Sequence, residues 1–177
     1  MSRASKHVDW CLRKAEKEIE ECKKLGKRPK HRGLLKINQN REEADNHLKK
    51  SEENLNFAAS LDSDKYGYKI VESVFYCMYH CFLAIAAKFG YETGNQTCTI
   101  ALVEYLKEEN KIDLDQKFIE FMKYKDEQTD QKHPSIIEMR EDYTYSAKIS
   151  VEKERLVKLI ELCKEILHVT KEIIYDK

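Results

Sequence analysis

The sequence predicts an all-α fold, and three observations predict it. Glycine (5) and proline (2) are scarce in 177 residues, whereas sandwiches, barrels and doubly wound sheets need many tight turns. Apolar residues, 41% of the chain, recur at threes and fours, the period of a helix with one buried face. Charged residues, at 36%, are numerous enough to cover the opposite faces. A chain of this length with this apolar content is expected to form one domain around one core.

The first helix is predicted from about Lys6 to Leu25, where Val8, Cys11, Leu12, Ala15, Ile19 and Cys22 form a stripe and Gly26 supplies a C-terminal stop. Residues 22–41 then carry eight cations and no acid, broken by Pro29 and Gly33, and read as an exposed basic connector. Asn40 with Glu43 three residues on is an N-terminal signature for a second helix. Its stripe of Ala44, His47, Leu48, Leu55, Ala58, Ala59 and Leu61 runs to about Asp62. The third helix, roughly Ser63 to Phe89, is apolar on more than one face (Ile70, Val71, Val74, Phe75, Cys77, Met78, Cys81, Phe82, Ile85, Ala86), so it must be covered on several sides.

After Gly90 a short helix is expected from Thr97 to about Asn110, and Asp113 opens another that carries Phe118, Ile119, Phe121 and Met122. Residues 125–133 read as a polar loop. Pro134 suits a first helical position ahead of Ile136, Ile137, Met139 and Tyr143. Ser150 caps a long last helix to Ile174. No internal repeat and no low-complexity segment occurs.

Lys+Arg equals Asp+Glu at 32 each, so the whole-chain charge names no partner. Its distribution is uneven: residues 1–50 hold 15 basic and 8 acidic side chains, a net of +7 that leaves −7 for the remainder. The N-terminus lacks the apolar run of a signal peptide. The longest stretch without formal charge, Ser73 to Ala87, is 15 residues and too short to span a bilayer. Six scattered cysteines (Cys11, Cys22, Cys77, Cys81, Cys98, Cys163) in a chain that needs no staples are expected to be reduced, and the protein cytoplasmic, without a membrane partner.

Several chemistries are missing at the level of motif. No Gly-rich phosphate loop, His-Glu-x-x-His or Gly-x-Ser-x-Gly occurs, so no cofactor is expected. Cys77, His80 and Cys81 share a helical face but lack a second ligand pair, and no metal is expected there. A di-iron bundle needs two Glu-x-x-His pairs from different helices plus two further Glu, so the lone Glu165-x-x-His168 reads as a solvated helix pair. Two features could hold an anion. The connector cations Lys27, Arg28, Lys30 and Arg32 make a local attractive potential. Arg140 and Tyr143, one turn apart in the crowded segment Glu138 to Tyr145 with Asp142 between them, could hold a phosphate or carboxylate together. Against that stands a plain ion pair of Arg140 with Glu138, Glu141 or Asp142 while Tyr143 packs inward.

In the order His7-Val-Asp-Trp-Cys-Leu-Arg-Lys-Ala-Glu16, Lys30-His-Arg-Gly-Leu-Leu-Lys-Ile37, Ala44-x-x-His47-Leu48 with Asn54-Leu55, Phe75-Tyr-Cys-Met-Tyr-His-Cys-Phe-Leu-Ala-Ile85 and Arg140-Glu-Asp-Tyr143, nearly the whole chain resembles the stand-alone archaeal proteins of the HEPN superfamily. The resemblance implies an up-and-down helical bundle of four to five core helices over residues 40–177, preceded by an extra helix and the connector over 1–39. It also implies a homodimer with its polar functional residues near the cleft between protomers. Many such proteins are toxin ribonucleases with an Arg-x4-6-His motif, and some pair with a nucleotidyltransferase-fold antitoxin. Arg140 matches the motif's Arg, but Tyr145, Ser146 and Ala147 stand where its His would follow, and the next His is His168. A tyrosine titrates near ~10 and shuttles protons poorly at neutral pH.

The expectation is therefore a non-catalytic dimer that binds RNA, a nucleotide or a partner protein through Arg140, Tyr143, Tyr145 and Asp142. A ribonuclease that recruits His80 or His133, paired with an antitoxin, is one alternative; a plain interaction scaffold is another. The dimer interface is expected on the third helix, through Phe75, Met78, Tyr79 and Phe82.

Overall fold

The structure, a computed structural model, describes residues 2–124, 134–146 and 150–176. These residues build seven helices and one small sheet, an all-α bundle. In chain order the elements are α1 (Arg3–Lys24), β1 (Leu34–Lys36), α2 (Arg41–Ser60), α3 (Ser63–Lys88), β2 (Tyr91–Thr93), α4 (Gln96–Glu108), α5 (Gln116–Met122), α6 (Ile136–Tyr145) and α7 (Lys153–Tyr175).

Helix α3 is the centre because its sequence leaves it no polar face to turn outward. Fourteen of its residues are buried, from Gly67 to Ala87. It packs against α2, α4, α5, α6 and α7. Leu61 and Asp62 alone join α2 to α3, so the two lie as an antiparallel hairpin, and Asp62 caps α3 through the Asp64 amide. Near its start α3 kinks at Tyr66 (φ −123°, ψ 26°), beside Gly67, whose missing side chain lets Val151 and Leu156 approach. The helix is long and apolar enough to cross a membrane, which a count of uncharged residues alone had not suggested, yet 72% of its most apolar window is buried in the bundle.

That burial corrects the expected dimer surface. Phe75, Met78 and Phe82 are at most 1% exposed within a single chain and offer no area to a partner, while Tyr79 is half-buried and Tyr66 and Tyr76 are exposed aromatics of this helix. Enclosure by five other helices accounts for it, since each covers a face that had looked unsatisfied.

Helix α1 packs on α4 and β1 at the edge of the core, to which it contributes Val8 and Cys11. The expectation of six reduced cysteines is overturned here. Cys11 of α1 and Cys98 of α4 form a disulfide with Cα atoms 5.9 Å apart, and both are fully buried. Sequence spacing carried no sign of it, because the two helices meet only in the tertiary fold.

The connector is also more ordered than expected. Its second half forms β1, which pairs antiparallel with β2 in the register Leu34↔Thr93, Leu35↔Glu92 and Lys36↔Tyr91. Leu34 is completely buried. The Arg32 amide donates to the Glu18 carboxylate, and His31 Nε2 lies 3.1 Å from Glu92 Oε1. Gly90 makes the turn between α3 and β2 at φ +75°, where a side chain would be strained and would also meet the Ile37 carbonyl at 2.7 Å.

Several helix starts shift; α1 begins at Arg3 rather than about Lys6, and α4 at Gln96 rather than Thr97. Asp115 rather than Asp113 caps α5. Pro134 lies one residue before the α6 cap, which is Ser135. Glu152 rather than Ser150 precedes α7, with no side-chain cap. At α5 and α7 the chain holds two polar residues close together, and helix ends of this kind shift by one or two positions.

Candidate functional site

Helix α6 is oriented by its cap and its apolar side. The Ser135 hydroxyl accepts from the Glu138 amide at 3.4 Å and Glu138 Oε2 accepts from the Ser135 amide at 2.8 Å, a reciprocal box that starts the helix. Ile136, Ile137 and Met139 are buried against the bundle. Arg140 lies four residues after Ile136, hence on the same side, and its guanidinium carbon sits 4.3 Å from the centre of the buried Phe75 ring. About a quarter of its side chain stays exposed, at 23%.

The ionic partner of Arg140 is Glu141, with Nη2 to Oε1 at 3.7 Å. A charge-assisted N–H···O bond is ~2.7–2.9 Å, so this pair is loose. The same Glu141 oxygen accepts from the Tyr124 phenol. Burial, and then that carboxylate, push the Tyr124 hydroxyl up to about 12, so it remains a donor at neutral pH.

The structure does not gather the other expected residues around Arg140. The Tyr143 ring is half-buried and its hydroxyl donates to the Ser150 carbonyl at 3.4 Å, tying α6 to the approach of α7. Tyr145, at the end of α6, is 85% exposed. Asp142 is exposed, and its carbonyl accepts from the Ser146 amide at 2.9 Å. Lys27, Arg28, Lys30 and Arg32 are all exposed. They belong to the far end of the bundle, because the connector meets β2 just after Gly90, fifteen residues or roughly 20 Å along the chain axis from Phe75. His133 lies outside the described residues.

His80 has a partner that sequence reasoning missed. Its Nδ1 is 3.0 Å from Nδ1 of His47 on α2, and the two rings stack with centroids 5.2 Å apart. Burial first, then His80 and Lys50, lower His47 to about 4; burial and then Lys50 lower His80 as well. Both are neutral at pH 7, one donating and the other accepting. The signal lay in the sequence as His47 on the apolar stripe of α2, where an imidazole has to find a partner. His80 points to α2, about 100° around α3 from the Tyr79 side that stacks on Phe75, and among the described residues no hydrogen bond joins it to Arg140.

A pH dependence follows from the His47 shift. Because the folded state resists protonation that the unfolded chain accepts near ~6.5, this contribution to stability is complete above that pH and is lost as pH falls from 6.5 towards 4. Urea unfolding of His47→Gln is expected to show a shallower loss of midpoint over that interval than the unsubstituted chain. Parallel losses would mean that the pair is hydrated and titrates normally.

Cys77 and Cys81 turn to α2 as well. Ser51 donates to the Cys77 carbonyl at 2.8 Å and lies 3.3 and 3.2 Å from the two sulfurs. The hydrogen bond with Cys163 is the first cause that raises the Cys77 thiol, and burial raises Cys81 far above its usual range. These are protonated core thiols, separate from His80, and no three His, Cys, Asp or Glu side chains among the described residues converge as metal ligands. On α7, Glu165 pairs with Lys117, while exposed His168 lies 3.4 Å from Glu172, so Glu165 and His168 serve separate surface contacts.

Comparison with protein families, curated proteins and solved structures returns no match for this chain.

Proposed function

We propose that this chain is a non-catalytic, HEPN-like binding module that pairs as a homodimer and takes a phosphate-bearing ligand, RNA or a nucleotide, at Arg140. The observation that carries the reading is the state of that side chain. Its guanidinium carbon lies over the Phe75 ring at 4.3 Å, and its acidic neighbour stands 3.7 Å away on an oxygen already occupied by Tyr124. Glu138 is likewise engaged, by the Ser135 amide. A fork of donors that, among the described residues, meets no bidentate carboxylate suits a phosphate. His47 and His80 are neutral and bonded to each other, which argues against either as the proton carrier of a cleavage reaction.

The test is a titration of a short single-stranded RNA, and of ATP, into the protein. Arg140→Ala removes a charged hydrogen bond worth ~1.5–3 kcal/mol, so affinity is expected to fall about 10- to 100-fold with the fold intact. Light scattering of the same sample should give the mass of two chains, and a single-chain mass removes the pairing part of the reading.

The exposed cations of the connector favour a second reading, in which a polyanion is held there instead. Replacing Lys27, Arg28, Lys30 and Arg32 by Gln would then flatten the salt dependence of RNA binding, since each phosphate contact on a single strand contributes ~0.7 to the slope. An unchanged slope leaves those residues as a linker. The competing enzymatic reading, a ribonuclease partnered by a nucleotidyltransferase-fold antitoxin, needs a histidine delivered to Arg140 from another protomer. The scaffold reading needs no nucleic-acid ligand and predicts no binding in either titration.

A further inference from the structure

A cleft of about 290 Å³ opens between α2, the second half of α3 and β2, lined by Glu43, His47, Tyr79, Tyr91, Glu92 and Thr93 over a floor of small apolar residues. It is distinct from the Arg140 site, although Tyr79 lines it on one side and stacks on Phe75, at 5.8 Å, on the other. Its chemistry is one-sided. The chain holds 32 Lys and Arg, yet none lines this cleft, which has two carboxylates instead.

Each carboxylate has one oxygen occupied. Glu43 Oε2 accepts from the Asn40 side-chain Nδ2 at 3.1 Å, and its Oε1 is 4.0 Å from His47 Nε2, beyond hydrogen-bond distance. Glu92 Oε1 meets His31 at 3.1 Å, and its Oε2 makes no hydrogen bond among the described residues. Thr93 Oγ1 is buried and faces the Tyr79 phenol, with no well-formed hydrogen bond among the described residues. His47 adds no positive charge at neutral pH. Two tyrosines contribute aromatic surface, and aromatic faces attract cations.

We propose that this cleft binds a small organic cation bearing an ammonium or guanidinium group, with the open oxygens of Glu43 and Glu92 as acceptors and Tyr79 and Tyr91 as walls. The volume equals that of about ten waters at ~30 Å³ each, which suits a ligand of about that many non-hydrogen atoms. An anion would meet two carboxylates and no compensating cation, and a purely apolar ligand would leave both carboxylates desolvated.

Calorimetric titration of the intact protein with agmatine, a guanidinium and an ammonium on a four-carbon chain, tests the proposal, with 1,4-butanediol and succinate as neutral and anionic counterparts. Agmatine is expected to bind saturably, and the other two at least tenfold more weakly; this comparison needs no variant. Glu43→Gln and Glu92→Gln, which keep side-chain shape, should each weaken agmatine about tenfold, whereas Glu154→Gln on the exposed start of α7 should not. Absence of saturable agmatine binding up to millimolar concentration overturns the proposal. So does affinity equal to that of butanediol, or affinity unchanged in the Glu43→Gln/Glu92→Gln pair.

Discussion

Removal of the Cys11–Cys98 bridge is expected to lower the unfolding free energy by about 4 kcal/mol. The bridge closes a span of 87 residues, and a cross-link of that reach restrains the unfolded chain by about this much in the chain-entropy view. Local consequences should be uneven. Helix α1 packs on the remainder of the protein through α4 and β1, and the bond joins it to α4. The α2–α3–α7 core is held by its own apolar contacts. In Cys11→Ala/Cys98→Ala, amide exchange should rise in α1, in residues 31–36 and at the start of α4, and stay near its former level in the middle of α3. Denaturant unfolding of the variant against the oxidised chain gives the overall loss. Alkylation of the denatured, unreduced protein should label four of the six cysteines; labelling of all six, with equal stability of variant and parent, would mean that the bridge does not form.

Gly33→Ala should be comparably damaging for a different reason. A Cβ at this position would lie 2.1 Å from the Cys11 carbonyl oxygen and 2.8 Å from the Ala15 amide nitrogen. Both are backbone atoms of a helix and cannot turn aside as a side-chain end would. The entry to β1 would have to lift from α1, uncovering Leu34 and disturbing the pairing with β2. A loss of about 3–5 kcal/mol is expected from overpacking combined with a displaced strand. Gly26→Ala is the control: nothing lies within 4 Å of its Cβ, and only its φ of +62° is strained, for which ~1–2 kcal/mol is the usual cost. Equal thermal shifts for the two substitutions would contradict the close packing of α1 on β1.

These two positions also mark where the sequence stops being legible. Helical stripes depend on neighbours three and four residues away, so all seven helices could be read with ends displaced by a few residues. The pairing of Leu34–Lys36 with Tyr91–Thr93 could not, because three-residue strands carry too short an alternation and their partners lie 55 positions apart at the Lys36–Tyr91 pair. Cys11 and Cys98 look like two more small apolar residues until α1 and α4 are brought together. At the candidate site, Arg140 was readable as a cation poised among acids, but Phe75 as its platform and Tyr124 as the competitor for Glu141 required the packing of α3 and α6. Tyr143 looked like a second donor to a common ligand because helical spacing allows it. Its hydroxyl instead reaches Ser150, a contact that depends on how the chain returns towards α7.

The most direct test of the account follows one labelled oligoribonucleotide in two ways, by anisotropy for binding and by gel for integrity, with the unsubstituted chain and Arg140→Ala. The account predicts that the unsubstituted chain binds the RNA and leaves it whole across neutral pH, and that Arg140→Ala binds it at least tenfold more weakly with unchanged unfolding. Cleavage by the unsubstituted chain that disappears in Arg140→Ala, or equal binding by the two, would contradict it.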